Sequence, residues 1–153
     1  MRTLAVFAML LLVPTCQAPP PAEMTEAEMA QIESEVRAFM AEYERTWEAL
    51  DLDAAIPMHL DSEDFAWAGS AMIMRGYDTF AELARQMYAN TTSIDWTSLD
   101  MDVAVLTPDI VSVLDRGTVV SSNSDGVENP YVYQYVLGKR NGGWKILHAS
   151  GGS

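Results

Sequence analysis

From Tyr131 to Ser153 the chain reads YVYQYVLGKRNGGWKILHASGGS, two alternating runs joined by Asn141-Gly142. Tyr131, Tyr133 and Tyr135 alternate with Val132, Gln134 and Val136, and the two-residue period of a strand places the three tyrosines on one face. Asn and Gly both tolerate the positive φ of a two-residue hairpin turn, so the spacing predicts a β-hairpin closing a sheet. On its second strand Trp144, Ile146, His148 and Ser150 are expected on one face, with Lys145, Leu147 and Ala149 opposite. A lone hairpin is barely stable in water, so the rest of the chain must supply further strands and something to cover the aromatic face.

The upstream residues meet that demand. Thr25-x-x-Glu28 is a capping box, and Ile32, Val36, Phe39, Met40, Tyr43, Trp47 and Leu50 recur at helical spacing behind it. They predict one long amphipathic helix, with its many glutamates, Glu44 and Glu48 among them, on a solvated face. Asp53 is expected to cap a short helix reaching Leu60, interrupted by Pro57. Phe65 to Ala68 and Met72 to Met74 read as a small hairpin around Gly69-Ser70, and Thr79-x-x-Glu82 as the capping box of a third helix to about Ala89. Asp95 to Leu106, with Leu99, Met101, Val103 and Val105 on one face, and Ile110 to Ser121 read as long strands around Pro108-Asp109. Helices first and long antiparallel strands afterwards make an α+β domain rather than alternating βαβ units.

At the other end, Arg2 precedes an apolar run from Leu4 to Val13, the length of a secretory leader and too short to span a bilayer. Leu12-Val13-Pro14-Thr15-Cys16 resembles a bacterial lipobox, which makes Cys16 a candidate lipidation site; simple cleavage after Ala18 is the alternative. Pro19-Pro20-Pro21 then favours an extended tether. The organisation expected is a signal peptide over 1–16, a Pro-rich linker over 17–24 and one domain over 25–153. The product is expected to be exported, as a periplasmic or membrane-anchored bacterial lipoprotein.

Charge and motif content narrow the function classes. A net charge of -13 repels phosphate backbones and anionic head groups, so nucleic acid is excluded as a partner and the membrane is reached only through a lipid anchor. Phosphate-binding glycine loops, HExxH, CxxC and G-x-S-x-G are absent, and with them the usual nucleotide, zinc and serine-hydrolase chemistries. His59, Asp61, Glu63 and Asp64 follow no fixed ligand spacing and read as a solvated loop, so neither a metal nor a cofactor is expected.

The ending Gly143-Trp144-Lys145-Ile146-Leu147-His148 and the Arg75-Gly76 step into the third helix resemble the nuclear transport factor 2-like superfamily, in particular its SnoaL-like branch. The resemblance, over Met24 to Ser150, implies a cone-shaped curved antiparallel sheet wrapped around the long first helix, with two shorter helices and a pocket at the wide end. It implies a small-molecule-binding domain for an apolar or carbonyl-containing ligand. The alternatives are an isomerase or cyclase using general acid-base catalysis, and a non-catalytic dimerisation scaffold. Tyr43, Trp47 and Trp67 are candidates to line the cone with Tyr133 and Tyr135, although stripes of this kind equally form plain core. His148 is a candidate for proton transfer because its ordinary pKa lies near neutrality. Asp115 and Arg116 are adjacent on one strand, so one of them faces each way; following the resemblance, Arg116 is expected inward as an anchor for an acidic or carbonyl ligand, and Asp115 is the other catalytic candidate. The outward sheet face, carrying Val103, Val105, Val111 and Val113 or their neighbours, is expected to make a homodimer.

Lipid anchoring predicts that Cys16→Ser leaves the domain folded but removes it from the membrane fraction, since one modified residue carries the whole anchor. Cell fractionation reads this directly, and an unchanged distribution overturns it.

Overall fold

Thr25 opens the first helix, α1 (Glu26–Glu48), through the expected capping box: its hydroxyl accepts from Glu28 N at 3.2 Å and its own N–H donates to Glu28 Oε2 at 2.8 Å. The computed structural model describes residues 24–69 and 72–152. The segment expected to be a leader, Cys16 and the proline run lie outside them. Helical spacing brings Ile32, Val36, Met40, Tyr43 and Trp47 to one buried face of α1. The short α2 (Leu52–Ala55) is capped by Asp51, which accepts from Ala54 N at 3.0 Å, and not by Asp53, which reaches Arg85 at 3.3 Å instead. A 3-10 turn, Ile56–Met58, accommodates Pro57, whose missing N–H costs nothing at a first turn.

The small hairpin is β1 (Ala66–Gly69) and β2 (Met72–Arg75), and α3 (Tyr77–Tyr88) follows it. The expected cap at Thr79 does not form, because the helix already begins at Gly76, whose φ of 85° turns the chain out of β2. The long strands are β3 (Ile94–Thr107), β4 (Ile110–Ser121), β5 (Asn129–Arg140) and β6 (Gly143–Gly152). Asn141 and Gly142 make the β5–β6 turn with φ of 52° and 84°, the positive pair expected of them. Together the strands form one sheet in the order β2-β1-β6-β5-β4-β3. Every pairing is antiparallel except β1 with β6, which no local pattern in the sequence announces.

The sheet curves around α1 into a cone, and α1 also guards its open edge. Glu48 Oε1 accepts from Trp96 N at 3.0 Å, and Arg37 Nη1 donates to Met101 O at 3.1 Å. These side chains occupy backbone groups of β3 that an edge strand would otherwise offer to another chain.

Register shifts reset the faces of β3 and β6, and two of them decide which residues the core receives. In β3 the register jumps between Ser98 and Asp100, which turns Leu99 outward to 61% exposure while Met101, Val103 and Val105 pack against the core. In β6 it jumps between the partners of Val136 and Leu137, so Trp144 and Ile146 face the core, and beyond the bulge Ala149 takes that side. The convex face therefore lacks the valines expected of it: Val111 and Val113 are wholly buried, and the exposed apolar residues of the long strands are Leu99, Leu106, Leu114 and Val132.

Gly117 marks a close approach, because Tyr131 pairs with it and lies across the space a side chain would fill. A Cβ there would also meet the Thr97 carbonyl of the neighbouring strand. We expect Gly117→Ala to destabilise the domain by about 1–3 kcal/mol through overpacking. Gly143→Ala meets open space and should cost clearly less; urea denaturation of the two variants makes the comparison, and equal effects would refute the packing account.

Candidate functional site

Tyr43 and Trp47 leave α1 one turn apart and point into a cavity of about 250 Å³. Phe80, Ala84, Met87 and Tyr88 of α3 close it from one side, and Trp67 and Met74 of the small hairpin from another. Trp96 of β3 and Tyr133 and Tyr135 of β5 form its floor on the concave sheet, beside Gly152. The rings meet edge to face or tilted: Tyr43 lies edge to face 5.9 Å from Tyr135 and 5.9 Å from Trp47, and Trp47 packs tilted 5.0 Å from Tyr88. Among the described residues the wall contains no charged side chain.

Behind α1, His59 is buried and its ring is fixed on both nitrogens. Nδ1 lies 3.1 Å from Ile56 O, and since a carbonyl only accepts, Nδ1 carries the proton. Nε2 is then an acceptor for the Tyr43 hydroxyl at 3.3 Å. Burial among Tyr43, Phe65 and Phe80 pushes the imidazole pKa down to about 4, so this histidine is neutral near pH 7. Burial raises the Tyr43 and Tyr135 phenols far above their ordinary range and Tyr88 to about 12, which keeps the hydroxyls protonated; the Tyr43 proton is already given to His59, so Tyr88 and Tyr135 are the ones able to donate.

A second polar group lies beside the cavity floor. Asp115 is buried on the concave face, where it accepts from Ser98 Oγ at 2.5 Å and from the Tyr131 hydroxyl at 2.9 Å. Tyr131 packs 5.3 Å from Trp96 and 5.2 Å from Tyr133, so the Asp115 network stands one ring behind the wall. Glu44 on α1 has one carboxyl oxygen buried with no partner among the described residues. Partial burial, then the charges of Asp115 and Glu48, push its pKa up to about 7. The indole N–H groups of Trp47 and Trp96 are also buried without an acceptor of hydrogen-bond geometry, although each lies close enough to a tyrosine, Tyr43 and Tyr131 respectively, to favour its phenolate. Among the described residues no three His, Cys, Asp or Glu side chains gather where they could hold a metal ion.

Of the residues singled out from sequence, the cavity wall contains Tyr43, Trp47, Trp67, Tyr133 and Tyr135. It does not contain Arg116 or His148. Arg116 is exposed on the convex face and meets Asp100 at 3.5 Å, because its neighbour Asp115 takes the concave position opposite Tyr133. His148 pairs with Val136 and Ala66, beyond the β6 bulge, and so shares their face rather than that of Tyr135 and Ala149. Sequence reasoning missed Tyr88, Trp96, Glu44, Ser98 and Tyr131's bond to Asp115, and it read His59 as part of a loop. Glu44 had a signal: it falls one turn after Met40, at the border of the apolar stripe.

A wider cleft of about 410 Å³ lies between the start of α1 and the Pro108-Asp109 turn. It offers one cation, Lys139, already held by Glu35 at 3.1 Å and set over the Trp144 ring. The aromatic cavity is the better candidate.

A family model described as a SnoaL-like domain matches residues 36–151, which takes in the Asp115 network and, Gly152 excepted, the cavity wall and the sheet. This chain belongs to the SnoaL-like domain family. Several solved structures resemble this SnoaL-like domain at the level of the fold. An NTF2-like protein of unknown function from Pseudomonas putida KT2440 aligns at a TM-score of 0.72 and 12% identity, over 81% of this chain and 87% of that one. A protein from Streptomyces avermitilis, provisionally assigned as a dehydratase of the NTF2-like family, aligns at 0.72 and 17%, over 81% and 96%. Another from Novosphingobium aromaticivorans, provisionally assigned as a scytalone dehydratase, aligns at 0.70 and 9%, over 83% and 87%. A comparison with curated proteins returned no match.

His59 and Glu44 couple stability to pH in opposite senses. The His59 pKa falls from its ordinary 6.5 to about 4 on folding, so its contribution is present above 6.5 and is lost as pH drops toward 4. The Glu44 pKa rises from 4.5 to about 7, so its burden is absent below 4.5 and grows as pH rises toward 7. Glu44 is half-buried and water damps its share, so its slope is the shallower. Urea unfolding between pH 4.5 and 6.5 should therefore give a stability that rises with pH more steeply in Glu44→Gln than in the parent, and one that falls in His59→Gln. Parallel slopes in the two variants would refute both assignments.

Proposed function

We propose that this SnoaL-like domain binds a small molecule of mainly apolar surface in the cavity between α1, α3 and the concave sheet, and does so without chemistry. The observation that carries the reading is a cavity of about 250 Å³ walled by aromatic rings from both helices, the hairpin and the sheet, with no charged group in the wall among the described residues. Such concave apolar sites with a few convergent donors are the usual form of a small-molecule pocket. Tyr43 supports it further, since His59 holds its hydroxyl from behind. Export as a lipid-anchored protein would place this pocket outside the cytoplasm.

A second reading, acid-base catalysis of a dehydration or isomerisation, is favoured by one observation. Asp115 is a buried carboxyl on the cavity side of the sheet, with Tyr131 as a hydroxyl donor beside it. Two of the similar structures are provisionally assigned as dehydratases. Both Asp115 oxygens are already bonded and a ring separates them from the cavity, so binding comes first and turnover second.

Native mass spectrometry of protein isolated from its own compartment should show one small molecule retained per chain and released on denaturation. Trp67→Leu should lose it, since Trp67 forms one side of the wall. If nothing is retained, and fragments spanning alcohols, ketones and amines cause no thermal shift, the cavity is a filled scaffold and the proposal fails. Asp115→Asn separates the two readings: retention of the ligand unchanged agrees with binding, and loss of a measured turnover by about a hundredfold or more would establish catalysis.

A further inference from the structure

We propose that the ligand of this cavity is an organic cation with a methylated ammonium head, and this rests on the reading of the cavity as a binding site. An aromatic ring carries negative potential on its faces, and a cation over several faces is drawn to all of them. Here rings reach one space from four parts of the fold: Tyr43 and Trp47 from α1, Tyr88 from α3, Trp67 from the hairpin, and Trp96 and Tyr133 from the sheet. At about 30 Å³ for each water-sized group, the cavity takes a molecule of roughly eight heavy atoms.

Charge sorts the candidate ligands. An acid finds no counter-charge, since Arg116 lies on the convex face beside Asp100, Lys139 is bound to Glu35, and His59 is neutral. A primary ammonium carries three donors and needs acceptors around it, and the wall offers no carboxyl group. A methylated ammonium has no such need, because its surface is all methyl groups and its charge is spread beneath them. A neutral apolar molecule would gain the same burial and nothing from the field.

That field is negative on two scales. The whole chain carries -13. Locally, Asp115 stands behind the Tyr131 and Trp96 rings, and Glu44, near enough for its charge to act on Tyr131, holds a buried carboxyl oxygen with no partner among the described residues. A cation in front of those rings offsets this negative potential, whereas no basic side chain of the wall does so in its absence.

The test is titration of the full mature chain, followed by tryptophan fluorescence and calorimetry, with choline, with 3,3-dimethylbutan-1-ol, which replaces the charged nitrogen by carbon at the same shape, and with 3,3-dimethylbutanoate. We expect choline to bind about tenfold or more tightly than the neutral alcohol, the expected worth of desolvated cation–π contacts. The carboxylate should bind more weakly than either. Glu44→Gln, a change outside the wall, should narrow the choline-to-alcohol ratio severalfold and leave the alcohol's affinity unchanged. Equal or tighter binding of the alcohol, or of the carboxylate, overturns the cation while the binding reading stands. Failure of all three overturns it too; a neutral molecule retained in native mass spectrometry then preserves the binding reading, and an empty chain removes both.

Discussion

An acidic side chain in the middle of a covered sheet face must find hydrogen-bond donors before that face can close, and Asp115 finds them on both neighbouring strands. Ser98 on β3 and Tyr131 on β5 each occupy one of its oxygens. With that pair made, β4 can face only one way: Val111 and Val113 go into the core, Arg116 goes out to Asp100, and Leu114 is left 48% exposed. Burying Arg116 instead would have required partners for five guanidinium donors in a face built from rings and aliphatic groups. The Tyr131 hydroxyl reaches Asp115 because Gly117 leaves room for its ring, so a missing side chain on β4 serves the charged one two residues earlier.

Helix α1 answers the sheet with one face and two borders. Its central stripe fills the cone, and Tyr43 and Trp47 at the stripe's end become the cavity wall. Arg37 and Glu48 on one border bond the backbone of β3 and close the sheet's edge. Glu44, between them in sequence, has no such backbone partner, and among the described residues it is the one carboxyl whose oxygen is buried unsatisfied. An unpaired acceptor next to the Asp115 network is a local cost to folding, and it gives the region beside the cavity a negative field.

Under the proposed reading, binding draws on other residues than proton transfer would. The two imidazoles that the chain possesses are both set apart from direct contact with a cavity ligand: His59 is locked neutral behind Tyr43, and His148 lies across the sheet from the rings. What reaches the ligand space is aromatic surface and tyrosine hydroxyls whose protons burial retains. A pocket of that kind recognises shape and field more readily than it transfers protons.

Much of this was legible in the sequence because it depends on neighbours along the chain. The Thr25-Glu28 box, the stripe from Ile32 to Trp47, the Asn141-Gly142 turn and the row of tyrosines on β5 follow from helical and strand periods and from backbone φ preferences. Where the local rule had competitors it misled: Gly76 preempted the Thr79 cap, and Asp51 preempted Asp53. The family resemblance, too, was carried by short local runs, and the match over residues 36–151 agrees with it. The choice between Asp115 and Arg116 was decided only when Ser98 and Tyr131, distant in sequence, came within bonding distance of one carboxyl. The facing of His148 and Leu99 was decided by one extra residue in each strand, a register shift that alternation alone cannot reveal. Secondary structure is written in short-range periods, but which face of a strand is covered is an energy difference between whole packings, and for a strand nearly as apolar on either face only the assembled tertiary structure sets its sign.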